Sequence, residues 1–143
     1  MSLSLDRINI SHKGEDDIQS IDNNFQAIEN EINSLPEIIS NSNGTAFKFP
    51  SGLMVCVRYP HTISESIDAN ASINVDYTTP QPFISTPSVS GGGIATSSDG
   101  SPRRAGLSWQ GYSNDTIRCA VVSHGTAVEE IRRVSYIAIG RWK

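Results

Sequence analysis

This 143-residue chain is poor in several residue patterns, and each scarcity excludes a class of protein. There are two cysteines, Cys56 and Cys119, each inside an apolar strand-like run (LMVCVRY and TIRCAVV), and no CxxC pair, so no metal site is expected. Their geometry permits a disulfide that the sequence does not establish; the favoured reading is two buried, unpaired thiols in a protein made in a reducing host cytoplasm. No apolar run is long enough to cross a bilayer, so no membrane insertion is expected. The opening MSLSLDRINISHKG has neither the basic patch nor the apolar stretch of a secretory signal. His12, His61 and His124 are far apart, with no HExxH or i, i+4 pair. Neither a GxSxG turn nor a phosphate-cradling glycine loop with its lysine is present. An enzyme is therefore not expected, and neither is a cofactor.

Charge is scarce and uneven. The net charge is −4, yet residues 1–40 carry eight acidic and two basic side chains, and residues 41–143 carry seven acidic and nine basic. Nine Lys and Arg spread over a whole domain make no basic stripe, so nucleic acid is not an expected partner. No Lys or Arg occurs between Lys13 and Lys48.

Within that acidic segment stands the chain's most regular pattern. Ile18, Ile21, Phe25, Ile28, Ile32, Leu35 and Ile39 alternate spacings of three and four, with Ile18, Phe25, Ile32 and Ile39 at a and Ile21, Ile28 and Leu35 at d. The spacing predicts a helix over residues 15–39 with one narrow seam, ended or bent at Leu35 by Pro36. Such a seam lines a globular core poorly and fits identical seams on other copies. Isoleucine at both a and d shifts the preference from two strands to three or four, so the expected assembly is a homotrimer. The competing reading is an amphipathic helix packed on its own domain. Asp22, Glu29, Asn24 and Glu31 at e and g offer no opposite charges, and isolated helices of this length are marginal, so the remaining chain must supply most of the association. Residues 15–42 are read as a coiled-coil stalk and hinge, ending at Asn41-Ser42-Asn43-Gly44. Residues 1–14 form an arm with two short apolar alternations.

After the hinge the pattern changes to period two. Leu53, Val55, Val57 and Tyr59 share a face, as do Ile73, Val75 and Tyr77, then Leu107 and Trp109, then Ile117, Cys119 and Val121. Phe83 to Ser90 reads as extended, and Gly91-Gly92-Gly93 as the opening of a flexible loop through Pro102. The last strand, Arg133 to Trp142, sets Ile137 and Ile139 against Val134, Tyr136 and Ala138. Apolar on both faces, it reads as central or as facing a neighbouring subunit. Six or seven short strands in residues 43–143 predict an antiparallel β-sandwich knob.

The closing run Val134–Lys143 (VSYIAIGRWK) resembles the C-terminal ends of many bacteriophage tail-fibre proteins. Residues 43–56 (NGTAFKFPSGLMVC) look like the opening of the same distal knobs, where a short hairpin leads from shaft to head. Residues 82–89 (PFISTPSV) are similar to a middle strand shared by those knobs and the related H-type lectin sandwiches. The resemblance implies a trimeric β-sandwich knob that recognises the host cell surface, on a fibre carried at the virion's tail tip or baseplate. It also implies a tail or baseplate protein as the partner of residues 1–14. A structural baseplate or decoration fibre without a receptor role is the alternative. A cellular lectin-like module is more distant, given the missing signal and the stalk.

Saccharide recognition needs an aromatic face and directional polar groups. The run after the Leu107/Trp109 strand supplies Tyr112 and Asp115, with Arg118 beyond; Arg104 and His124 are further candidates. Trp109 is a candidate too, though alternation with Leu107 favours the core. Asp115 and Arg118 also fit a simple surface ion pair.

Overall fold

The computed structural model describes residues 14–143, with side chains from Ile18 onward. The attachment arm expected over residues 1–14 lies outside the described residues except for Gly14. Two compact units follow, divided at Pro36/Glu37.

The first described element is the helix α1, Gly14–Ser34. Its polar face is tied by i, i+4 side-chain bonds from Gln19 to Asn23 and from Gln26 to Asp22. The seam residues Ile18, Ile21, Phe25, Ile28, Ile32 and Leu35 are 36–69% exposed in the single chain. The helix stops short of 39, at the break that Pro36 predicts. Pro36 forces Leu35 away from helical geometry, and the chain restarts as strand β1, Glu37–Asn41. Ile39, expected at a coiled-coil a position, instead packs against the core of the second unit. The expected hinge is a tight β-turn: Asn41 Oδ1 accepts from the Asn43 amide at 2.9 Å. Gly44 takes φ +127° there, where a Cβ would lie 2.2 Å from the Val57 carbonyl oxygen. The head therefore begins at Glu37, not at residue 43.

The second unit has β1 and seven more strands: β2 (Gly44–Lys48), β3 (Leu53–Ile63), β4 (Ser72–Thr78), β5 (Ser88–Thr96), β6 (Ala105–Gly111), β7 (Thr116–Ser123) and β8 (Glu130–Arg141). They pair antiparallel into a five-stranded sheet ordered β1-β2-β3-β8-β5 and a three-stranded sheet ordered β4-β7-β6. Alternation decides what faces inward. Met54, Cys56, Val134, Tyr136 and Ala138 of the larger sheet are buried with Tyr77, Ile117, Cys119 and Val121 of the smaller. The closing strand is central, between β3 and β5, with its two apolar sets on opposite faces as expected.

Two expectations fail in the middle of the chain. Residues Phe83–Pro87 form no strand; Phe83 is buried and donates its amide to the Asn114 carbonyl at 2.7 Å. Gly91-Gly92-Gly93 is not a loop but part of β5. Glycine is needed there for close approach: a Cβ on Gly91 would stand 2.6 Å from both the Trp109 indole and the Ser135 carbonyl oxygen.

Cys56 and Cys119 are both free and buried. Burial pushes each thiol up to about 11, which keeps it protonated and unreactive at neutral pH.

The two sheets turn unlike faces outward. Across the larger sheet, one row runs Ile38, Phe47, Val55, Ile139 and Ser88, and the next runs Ser40, Thr45, Val57, Ile137 and Ser90. Across the smaller sheet the outward rows are Asp76, Arg118, Gln110 and Asn74, Ala120, Ser108. The first face sets exposed Ile38, Ile137 and Ile139 among small hydroxyl residues, with Arg141 beside Leu53; the second carries the Asp76–Arg118 pair and exposes Val122.

Candidate functional site

The outer face of the smaller sheet ends in the β6–β7 turn, residues 112–115. The Tyr112 and Ser113 amides both donate to the Thr116 carbonyl, at 2.9 and 3.1 Å, closing the hairpin. Ser113 Oγ donates to Asp115 Oδ1 at 2.6 Å, and Thr116 Oγ1 donates to the same oxygen at 3.0 Å. Those hydroxyl bonds, the Ser113 bond foremost, hold the Asp115 carboxyl below its usual range. It is ionised at neutral pH, with Oδ2 left as an acceptor.

One strand back, Arg118 pairs across β7 and β4 with Asp76. Its Nε donates to Oδ1 at 2.7 Å and its Nη2 to Oδ2 at 2.8 Å, a bidentate clamp. The bond to Arg118 lowers the Asp76 carboxyl below its usual range, and the reciprocal bond raises Arg118 further above neutrality. The guanidinium lies 3.7 Å from the Tyr112 ring centroid. Asp76 thus fixes Arg118, and Arg118 backs one face of an aromatic ring that remains 57% exposed. Asp76, Arg118 and Tyr112 are thereby joined at this end of the sandwich, with Gln110 the cross-strand neighbour of Arg118 and Asp115 in the adjoining turn.

The other candidates fall elsewhere. Trp109 points into the core, stacked on Tyr77 at 5.9 Å between centroids and tilted against Tyr136 at 5.7 Å. Its indole N–H is buried without a hydrogen-bond partner, so Trp109 is no ligand platform. Arg104 and His124 are neighbours of each other, the His124 amide donating to the Arg104 carbonyl at 3.0 Å. They lie at the far end of the β6–β7 pair, roughly 26 Å of strand from Tyr112. The expected Asp115–Arg118 pair does not form, because Arg118 pairs with Asp76.

Asp76 is the residue the sequence reading missed. Ile73, Val75 and Tyr77 facing inward put Asp76 outward, but nothing local tells that β4 lies beside β7. Among the described residues no group of three metal-ligating side chains comes together.

No family model matches the chain, and no curated protein matches it. Solved structures do. A Pseudomonas aeruginosa R1 pyocin fibre structure, comprising C-terminal residues 323–701, is 17% identical with a TM-score of 0.55, covering 80% of this chain and 31% of that one. An N-truncated R1-type pyocin tail fibre is likewise 17% identical with a TM-score of 0.55, covering 80% of this chain and 94% of that one. Discoidin II of Dictyostelium discoideum is 20% identical with a TM-score of 0.49, over 64% of this chain and 38% of that one. The chain spans about a third of the length of the first fibre structure. The fold expected from the resemblance to tail-fibre knobs is therefore present: this chain shares the fold of pyocin tail-fibre domains.

Proposed function

We propose that this chain is the receptor-binding protein of a phage-type tail fibre: a homotrimer on the virion whose head contacts a saccharide of the host surface. The arm of residues 1–14 docks it to a tail or baseplate protein, and no catalytic step is assigned to it. The shared fold with pyocin tail-fibre domains supports the fibre part of this reading. The observation that carries the saccharide part is the Asp76–Arg118–Tyr112 stack. A pyranose ring has a C–H face that packs on an aromatic ring and hydroxyls that need fixed acceptors. Tyr112 offers the first, already held in place by Arg118. Asp115 offers the second as an ionised carboxylate that accepts hydroxyl hydrogens, while Asp76 holds Arg118 in place. Single glycan contacts are weak, and three heads on one trimer multiply the grip through effective concentration.

The test is competition: purified protein is added to host cells before the parent particle, and adsorption is counted. Blocking is expected for the wild type, and loss of blocking for Tyr112→Ala and Asp115→Ala with mass and melting temperature unchanged. Undiminished blocking by both variants would remove this turn from the site. A structural baseplate or decoration fibre is the second reading. It is favoured by the closure of Arg118 on Asp76, which satisfies both groups without a ligand, and a wild type that never blocks adsorption would establish it.

A further inference from the structure

Resting on the trimeric part of that reading, we infer that the outer face of the five-stranded sheet joins the heads, with a ridge on one copy seated in a trough on the next. The trough lies along β5 and β8. Two adjoining clefts of about 370 and 300 Å³ share Ser90 and Ile137. Ser88, Ser90 and Gly92 give the trough small residues on its β5 side, and Ile137 and Ile139, 49% and 46% exposed, line it on β8. The ridge is at the opposite edge, where Ile38 on β1 is 62% exposed beside Phe47.

The rows that connect the two edges carry no charged residue, while Arg141 stands beside Leu53 in the neighbouring pair and Arg58 lines the larger cleft. Ile38, Ile137, Ile139 and Leu53 alone expose on the order of 350 Å² of apolar surface, a patch as large as the largest on an ordinary monomer. Patches of that size are often functional.

A second copy is the occupant the chain itself specifies. Leu35, the last residue of the exposed α1 seam, is three residues from Ile38, at most about 10 Å of extended backbone. Helices gathered along their seams therefore bring the β1 edges of their heads close to one another. Ridge and trough sit on opposite edges of one sheet, so the contact is head-to-tail rather than self-paired, and such contacts make a ring of three where the rotation between copies closes at 120°. The face with Tyr112 is on the other sheet and stays open to a ligand.

The experiment uses the full chain and two outward substitutions, Ile38→Glu in the ridge and Ile137→Glu in the trough. Near-ultraviolet circular dichroism and melting check that each variant remains folded. Light scattering is expected to give three chain masses for the wild type and one for either variant. An equimolar mixture is expected to gain a species of two masses, because Ile38→Glu keeps its trough and Ile137→Glu its ridge. A single-mass wild type, or either variant at wild-type mass, would overturn the interface. A mixture that stays at one mass would overturn the ridge-to-trough pairing. Adsorption separates this inference from the receptor reading: a single-chain protein that still blocks adsorption sinks only the interface, whereas a trimer that never blocks sinks only the receptor role.

Discussion

Arg118 and Asp76 are 42 residues apart in the chain and meet as cross-strand partners, held by two bonds of 2.7 and 2.8 Å on the outer face of the smaller sheet. The pair is near the surface, where ion pairs contribute little to stability. Its consequence is positional, since the same guanidinium lies 3.7 Å from the Tyr112 ring. Asp76→Ala is therefore expected to leave the melting temperature nearly unchanged while weakening host binding by about tenfold, as loss of one positioned contact does. Arg118→Lys should behave similarly, because a lysine keeps the charge but can neither chelate Asp76 bidentately nor stack flat on Tyr112. Paired melting and cell-binding measurements check both variants.

Gly91 and Trp109 make the opposite case, in which position and stability are inseparable. A Cβ at Gly91 meets the indole and the Ser135 carbonyl oxygen at 2.6 Å, and neither the ring, wedged against Tyr77 and Tyr136, nor a central-strand backbone can easily yield. Gly91→Ala is expected to destabilise the head by about 2 kcal/mol, in the range for overpacked cores. Chemical denaturation should show a lower midpoint with an unchanged slope. Gly92→Ala is the internal control, since a Cβ there meets nothing within 4 Å.

These two positions also mark what the sequence disclosed. Period-two alternation placed the inward sides of β4, β6 and β7, because a strand buried on one face writes its geometry locally. In β8 it gave two apolar faces without choosing between them, and in β3 it singled out Leu53, Val55, Val57 and Tyr59, which face outward while Met54 and Cys56 are buried. Tyr112 was recognisable as exposed because Gly111 and Ser113 flank it. The glycine run misled, since flexible loops and close-packed strands both use glycine and only the indole across the core tells them apart. Ile39 misled for the same kind of reason. Its spacing continued the heptad, and Pro36 alone signalled that the helix had ended. Asp76 was beyond reach, because strand order is decided by pairing across the sheet and not by neighbours in the chain.

The buried thiols and phenols give an alkaline limit to stability. Burial raises Cys56 and Cys119 from 9.0 to about 11, and Tyr136 from 10.0 to about 12. A folded-state pKa above the unfolded value contributes stability that is full below the unfolded pKa and is lost as pH rises through the folded one. The melting temperature is therefore expected to hold up to pH 9 and to fall between pH 9 and 12. Replacing both cysteines by alanine should flatten the fall near its start, at the cost of two small cavities. A thiol reagent at pH 7 should modify neither cysteine in the native protein and both after denaturation.

The head can be cut from the helix at Pro36/Glu37 but not further along the chain. β1 supplies the edge of the five-stranded sheet, with Ile39 packed on the core and Lys48 bonded to Glu37 at 3.0 Å across the β1–β2 pair. The Asn41 side chain also donates to the Pro80 carbonyl at 3.0 Å, tying the turn to the chain segment beyond β4. A fragment of residues 37–143 keeps all of this, whereas one of residues 43–143 exposes the unpaired edge of β2 and the core beneath Ile39. The longer fragment is expected to fold with the melting temperature of the full chain and to retain three chain masses, because the α1 seam, flanked by no opposite-charge pairs, adds little to an assembly held by the heads. The shorter fragment is expected to melt lower and to aggregate through its open edge. A monomeric 37–143 fragment that becomes trimeric only when α1 is restored would reverse the energetic division, with the helix gathering the chains and the heads following.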